Sequence, residues 1–506
     1  MPVSHAAAII MAAFASAARR GALLQWARDQ VWLALATLRS FPFRIDAHPQ
    51  TRSQSQCWPI TGMKSPPRAI LAAILFLISG LTWSEEQSAD ARFQSTYVWQ
   101  GKPGFRSGYR GANSLSPEPE QSYTWTVTAY LGWRPWANGE LYFNPEGIQG
   151  RPLSNVTGLG GLTNAELQKS ASSQIRFYRA RLFYRHTVGL NDAFGADRSG
   201  AREDIEPDQN QLAGTVDKRR FVLTVGNLSI TDMFGTSDIT GDGRTQFLNW
   251  SSLDHGHFDY AADARGFSWG VAGELFWDDW TLRAGRFMQP KQSNGLKIDY
   301  RIMKRYGDQL EVERRHLWNG NGQPGTVKAF VFRNVAHMGS FADALAAALP
   351  GTVPAFDAVR RPQTKVGWGV SFEQSLSNDL RVLARGGAHD GKTETYAFTE
   401  IDRSLFAAAS LKGSRWGRAQ DTVGAAYAVN GLSGDHRRFL AAGGQGFFLG
   451  DGRLNYGHER VFETYYNLEP AKGIGITLDW QHITHPGYNR DRGPVNIGSV
   501  RLHVEF

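Results

Sequence analysis

The sequence predicts an all-β fold, a transmembrane antiparallel β-barrel of about sixteen strands with short periplasmic turns and long external loops. Three observations lead there. In the last stretch, Asn496 to Phe506, Val500, Leu502, Val504 and Phe506 fall on one face of an extended strand, and Ser499, Arg501, His503 and Glu505 on the other. That pattern suits a barrel with lipid outside and water in the lumen, whose final strand pairs with the first to leave no open edge. Alternating segments of roughly ten residues, the length a tilted membrane strand needs, recur along residues 93–506. No run after residue 84 is apolar for the ~20 residues of a spanning helix, so strands must do the crossing.

The chain begins with a leader. Met63-Lys64 opens a short basic region, Ala69 to Leu81 is apolar, and Thr82-Trp83-Ser84 supplies small residues before Glu85-Glu86. This is the order of a secretory signal peptide. We expect residues 63–84 to be that signal and residues 1–62 to be a non-native or mis-assigned extension, translation starting at Met63 rather than Met1. Residues 85–506 then form one barrel domain, exported to the bacterial outer membrane. The net charge of +8 and pI of about 9.4 would suit a nucleic-acid partner, but residues 1–84 hold eight Lys/Arg and two Asp/Glu. That leaves 47 basic against 45 acidic residues beyond them, and the nucleic-acid reading falls. The only cysteine, Cys57, also lies in the leader, so disulfides and thiol chemistry are excluded from the barrel.

Phe93 to Gln100 is the first candidate strand. Tyr123 to Arg134 is the clearest, with Tyr123, Trp125, Val127, Ala129, Leu131 and Trp133 alternating against mostly polar residues. After the turn Pro135 to Gly139 the chain returns through Glu140 to Glu146, Leu141 and Phe143 opposing Glu140, Tyr142, Asn144 and Glu146. In Phe177 to Val188, Tyr178, Ala180, Leu182, Tyr184 and Val188 take one face, and Arg179, Arg181 and Arg185 the other. Arg219 to Leu228, Arg265 to Trp277, Trp280 to Phe287, Gln309 to Leu317, Thr326 to Arg333 and Thr364 to Gln374 follow. Leu380 to Ala388, Glu394 to Ser404, Asp421 to Val429, His458 to Leu468 and Ile474 to His482 precede the terminal strand. Sixteen strands place both ends on one side and leave room for an aqueous channel.

Short connections follow even-numbered strands at Pro135 to Gly139, Asp278-Asp279, Trp318 to Gly325, Ser375 to Asp379 and Glu469 to Gly473. Long ones, 101–122, 148–174, 229–264, 334–363 and 430–457, follow odd-numbered strands. Two break the parity: 189–218 is long on the short side and 389–393 short on the long side. Trp133, Trp136, Trp277, Trp280 and Trp318 cluster at the short-turn end like an interfacial girdle.

Several stretches resemble the carbohydrate-selective porin family of bacterial outer membranes. They include "YVWQGKPGFRSGYRGANSLSPEPEQSYTWTVTAYLGWRPWANGELYFNPE", "PLSNVTGLGGLTNAELQK", "FYRARLFYRH", "TQFLNWSSLDHGHFDYAADARGFSWG", "LRAGRFMQPKQSNG" and "LNYGHERVFETYYNLEPAKG", with the closing "NRDRGPVNIGSVRLHVEF". The resemblance spans essentially residues 92–506 and implies a sixteen-stranded channel for passive diffusion of mono- or small oligosaccharides, with no cofactor. A general diffusion porin and a non-conducting scaffold or adhesin are the alternatives. Carbohydrate solutes, outer-membrane lipid and the barrel-assembly machinery, which reads a terminal strand ending in an aromatic such as Phe506, are the expected partners. A homotrimer joined through lipid faces is compatible with the pattern.

Neutral sugars call for hydrogen-bonding groups and aromatic surface without one deep trap. Glu140, Tyr142, Asn144 and Glu146 on one strand and Arg179, Arg181 and Arg185 on the next supply such groups within mutual reach, and are the candidate pore lining. The plainer reading is that these charges only brace the wall. Arg283, Arg381, Arg385, Glu463, Asp479, Arg501 and Glu505 are further lumen candidates. Asp238, Thr240, Asp242 and Gly243 lack the full ligand run of a calcium loop and read as a tight external turn. Gly158, Gly160 and Gly161 lack the Lys-Ser/Thr of a phosphate loop. Neither His458 with Glu459 nor Ser499 with His503 completes a hydrolytic set, so no enzyme and no metal site are expected. Ser340 to Leu349 could form a short loop helix. The connection Gly147 to Gln174 carries Leu153, Val156, Leu159 and Leu162, which are costly to leave in water, and is expected to fold inward and narrow the lumen beside the candidate residues.

Overall fold

The computed structural model describes residues 87–166, 172–190, 201–317, 320 and 322–506. The leader and Trp318 lie outside the described residues. Strands β1 (Ala89–Lys102), β2 (Glu120–Trp136), β3 (Gly139–Arg151) and β4 (Ser172–Gly189) open the barrel. A separate two-stranded hairpin, β5 (Arg202–Ile205) and β6 (Gly214–Asp217), belongs to the connection before β7 (Arg220–Leu228). Then come β8 (Ser268–Trp277), β9 (Trp280–Met288), β10 (Tyr306–His316), β11 (Gly325–Met338), β12 (Arg361–Ser375) and β13 (Leu380–His389). The circuit ends with β14 (Arg403–Gly413), β15 (Arg418–Gly431), β16 (Glu459–Ala471), β17 (Ile474–Thr484) and β18 (Val495–Glu505). Every strand except β5 and β6 joins one closed antiparallel barrel, sixteen strands around, with β4 beside β7 and β18 beside β1.

Closure follows the terminal alternation. Gln94 to Gly101 pair with Glu505 to Gly498, Ser499, Arg501 and His503 are buried inward, and Leu502, Val504 and Phe506 stand exposed on the outer face. Beyond the ladder, Phe93 and Phe506 exchange backbone hydrogen bonds of 2.8 and 3.0 Å, and their rings lie 5.2 Å apart. Trp133, Trp136, Trp277 and Trp280 are exposed at the turn end, the barrel end that also carries both termini of the sheet.

Two sequence expectations need correction. The strand expected over Glu394 to Ser404 is displaced: β14 is Arg403–Gly413, and residues 390–402 form a loop that is buried almost throughout. The amides of Tyr396 and Ala397 bond the Asp259 carboxylate instead of a neighbouring strand. With that shift the connection after β13 becomes long and the one after β14 short, which removes one break in the parity. The second correction concerns β4. Pro145 in β3 has no N–H for the ladder, and the register jumps there from Asn144↔Arg181 to Pro145↔Arg179, leaving Ala180 unpaired as a bulge. Alternation reverses across a bulge, so Tyr178 turns inward onto Glu146 while Arg179 leaves the lumen face.

The short helix expected near residue 340 is present as α2 (Phe341–Ala347), following α1 (Trp250–Leu253). Ser340 caps it, and its Phe341 ring packs 5.3 Å from Phe439 of α3 (Gly434–Ala441) in a neighbouring loop.

Candidate functional site

A sixteen-stranded wall encloses more space than its own side chains fill, and here three connections at the loop end turn into it. Residues 158–166, 247–262 and 396–402 are nearly all buried. They meet inward wall residues in apolar clusters. Leu162, Trp250, Phe258, Tyr260 and Phe398 pack with Phe183, Phe287, Phe330 and Phe332, while Leu153, Leu159 and Phe247 pack with Phe406, Tyr465 and Ile497. Gly158 has φ of +89°, and an added Cβ there would sit 1.8 Å from the Leu115 nitrogen, so a bare backbone is required where these loops cross.

Buried irregular backbone needs hydrogen-bond partners, because no ladder supplies them. The charged inward residues of the wall are those partners. Glu459 accepts from the amides of Gly160 at 3.1 Å and Gly487 at 2.8 Å, Glu463 from Leu248 and Asn249, and Glu311 from Gly235. Arg385 donates to the carbonyls of Ser251 and Ser252, and Arg501 to those of Gly243 and Gln246. Lys365 and Asp259, both almost fully buried, pair at 2.6 Å. Arg244 lies in the second inward connection and reaches Glu146 of β3 at 2.7 Å, Glu166 of the first inward connection at 3.5 Å and the Thr128 hydroxyl at 2.9 Å. One guanidinium thus ties two loops to the wall.

The seven predicted lining residues divide. Glu140 pairs with Arg134 at 2.8 Å and Arg185 at 3.9 Å and accepts from the Tyr142 hydroxyl. Tyr142, Asn144 and Arg185 all bond residues 210–212, part of the long connection at the turn end: Tyr142 Oη accepts from the Leu212 amide, Asn144 donates to the Asn210 side chain and Arg185 to the Asn210 carbonyl. Glu146 is engaged by Arg244, and Arg181 by Asp232 at 2.5 Å. Arg179, displaced by the bulge, is exposed and lies over the Trp269 ring at 4.8 Å. The expected pairing of adjacent-strand charges is therefore realised only at Arg185–Glu140; Glu146 and Arg181 take charged partners from the inward connection before β8, and Arg179 stacks on a ring of β8.

The expected tight external turn at Asp238 to Gly243 is also placed differently. It lies inside the barrel near the turn end, where Asp238 pairs with Arg381 at 3.0 Å and Thr240 accepts from Arg385. There the lumen opens into a chamber of about 310 Å³, lined by amides and hydroxyls (Thr245, Gln246, Gln420, Asn467), by the Tyr465 ring and by Arg381, Lys412, Glu469 and Glu505. A second chamber of about 440 Å³ at the loop end is lined by Gln292, His337, Arg360, Glu394 and Phe447.

Burial also retunes groups on the inward connection, Asp254 and His257 among them. Asp254 is pushed up to about 7 by loss of water, against the opposing pull of Arg385, and His257 is lowered to about 4 by the same cause. His257 spends both ring nitrogens on the wall, one on the Trp368 carbonyl at 2.8 Å and one on the Ser404 hydroxyl at 2.9 Å.

Among known proteins, residues 120–506 match the carbohydrate-selective porin, OprB family. The high-pH structure of Pseudomonas putida OprB superposes with a TM-score of 0.61 at 13% identity, over 83% of this chain and 94% of that one. The outer membrane channel DcaP of Acinetobacter baumannii aligns over 83% of this chain and 98% of its own at 10% identity, with a TM-score of 0.44. At such identities the first likeness is one of fold. No curated protein matches the chain.

Proposed function

Because this chain belongs to the carbohydrate-selective porin family and is an outer-membrane channel, we propose that it carries mono- or small oligosaccharides passively into the periplasm. The observation that supports sugars is the turn-end chamber. Amides, hydroxyls and charged groups share its lining with an aromatic ring, a mix of donors, acceptors and ring surface suited to polyhydroxyl solutes that must bind weakly enough to leave. Glu140, Tyr142, Asn144, Glu146, Arg181 and Arg185 contribute by holding the inward segments that shape the passage, and Arg381, Gln420, Asn467 and Glu469 contact the solute.

The test is planar-bilayer recording. Purified protein should conduct, and maltose-series sugars should reduce the current in a saturable way. Deleting Asn155 to Asn164, which removes the backbone seated on Glu459 and Gln481, should raise the conductance and weaken the block. Conductance with no sugar block would mark a general pore, and no conductance a scaffold. The terminal strand ending at Phe506 serves, in this reading, as the signal for the barrel-assembly machinery.

A further inference from the structure

The outward face of β9 to β11 carries charge at a depth where the outward face of β2 carries none. On β2 the outward residues run from Tyr123 to Trp133 without a charge, a span of ten residues that matches the usual ~25 Å apolar band once strand tilt is allowed for. On β10 the outward apolar run is Leu310 and Val312 alone, between Asp308 and Arg314. Those two charges are about 20 Å apart along the strand and less along the membrane normal. The row Arg286–Asp308–Arg333, set side by side by register, is therefore drawn into the depth that the apolar band occupies on β2.

The row is cationic. Asp308 accepts from Arg286 at 2.7 and 3.0 Å and from Arg333 at 3.3 Å, one carboxylate shared by two guanidinium groups. Both also stack on Tyr306, at 4.1 and 5.2 Å from its centre. Directly above, the loop between β9 and β10 adds Arg301, Lys304 and Arg305, and its Met303 sulfur lies 3.8 Å from Arg286. Against these five cations stand Asp299, Asp308 and, at the edge, Asp390. Side chains with unmatched positive charge facing lipid are costly unless an anion meets them.

Below the row lies a groove. A hollow of about 600 Å³ opens on the outer wall, lined by Leu310, Val331, Val366, Trp368 and Ala388, with Arg333 and Asp390 at its loop end. Ala388, the register partner of Trp368 on the next strand, is the small outward residue that leaves the slot open beside the Trp368 ring. An apolar slot headed by a cationic cluster at the loop end has the shape of an acyl chain and its phosphate.

We propose that this face binds a phosphorylated glycolipid of the outward leaflet. One acyl chain lies in the groove, and the sugar phosphates are held by Arg286 and Arg333 with the loop cations above. Arginine suits the task because its fork meets phosphate oxygens bidentately and remains charged at membrane depth. The site is independent of the lumen and of what the channel conducts.

The experiment is native mass spectrometry of the detergent-purified barrel with bis-phosphorylated lipid A, with dephosphorylated lipid A, and with phosphatidylethanolamine. Wild-type protein should retain the bis-phosphorylated lipid at least ten-fold better than either of the others. Arg286→Gln with Arg333→Gln, and separately Ala388→Leu, which fills the slot, should each lower that retention about ten-fold. Both variants face away from the lumen, so single-channel conductance and the heat-dependent gel shift of the folded barrel should stay unchanged, which reports correct folding. Equal retention of dephosphorylated lipid A overturns the proposal. So does undiminished retention in either correctly folded variant, or the appearance of barrel–barrel species abolished by the arginine changes, which would make this face a subunit contact.

Discussion

Replacing Arg244 with Met tests whether the interior is held by charge. In the wild type the guanidinium lies within 2.7 Å of Glu146 and 3.5 Å of Glu166, with both carboxylates largely shielded from water. Methionine fills similar volume but takes the guanidinium charge away from both buried acids. Removing one partner of a buried ion pair costs about 3–5 kcal/mol, mostly because the remaining charge is stranded. Arg244→Met should therefore lower unfolding stability by that amount, read as a shift in urea midpoint at constant slope by tryptophan fluorescence in detergent. Adding Glu146→Gln and Glu166→Gln neutralises the acids that Arg244 had balanced, and the triple variant should recover to within about 1 kcal/mol of wild type. Because Arg244 joins two inward connections to β3, the single variant should also show noisier and higher conductance. A single variant within about 1 kcal/mol of wild type, or a triple variant as unstable as the single, would refute the reasoning.

Three further outcomes follow from the same geometry. Burial raises Asp254 to about 7 from an ordinary value near 4, so the folded protein keeps a proton that the unfolded chain releases. Stability from this group is highest below pH 4, falls as pH rises from about 4 to 7 and is level above; Asp254→Asn should flatten that slope in a pH series of urea midpoints. Gly158→Ala forces a Cβ against the Leu115 backbone at positive φ and should cost at least ~2 kcal/mol while loosening the first inward connection, seen as faster proteolysis near residue 155. N-terminal sequencing of protein from outer membranes should begin near Glu85, and any peptide from residues 1–62 would remove the proposed start at Met63.

Strands were legible where one face met lipid. Tyr123 to Trp133 and Val500 to Phe506 alternate because hydrocarbon and lumen impose opposite demands on successive side chains. The misplaced strand shows the limit of that signal. Residues 394–404 also mix apolar and polar side chains in a strand-like way, but burial on every side, not pleating, explains Tyr396, Phe398 and Ile401. The true β14 carries the run Ala407 to Ala409, weak in β propensity and easily passed over. Pro145 was visible in the sequence, and the bulge it causes moved Arg179 off the lumen face. Periodicity assigns a side chain to a face but not to a partner, and the partners of Glu146, Arg181 and Arg385 lie on a loop far along the chain. The signal for that loop was available: Phe247, Trp250, Phe258 and Tyr260 in 229–264 are no more tolerable in water than the leucines of 147–174. The same argument applied there would have sent both connections inward.

The seam between β1 and β18 joins side chains 407 positions apart, as in the hydrogen bond between Thr96 and His503. Contacts between such distant residues carry the greatest loop-closure entropy and form late. Everything that fills the interior is encoded between them, so the connections can settle on a curved, still open sheet before its edges meet. The filled interior then works as a former around which the sheet bends, and sealing the seam fixes the circumference. Shortening the last strand would leave the contents in place but expose unpaired amides of β1 to hydrocarbon, and assembly would stall one step from completion.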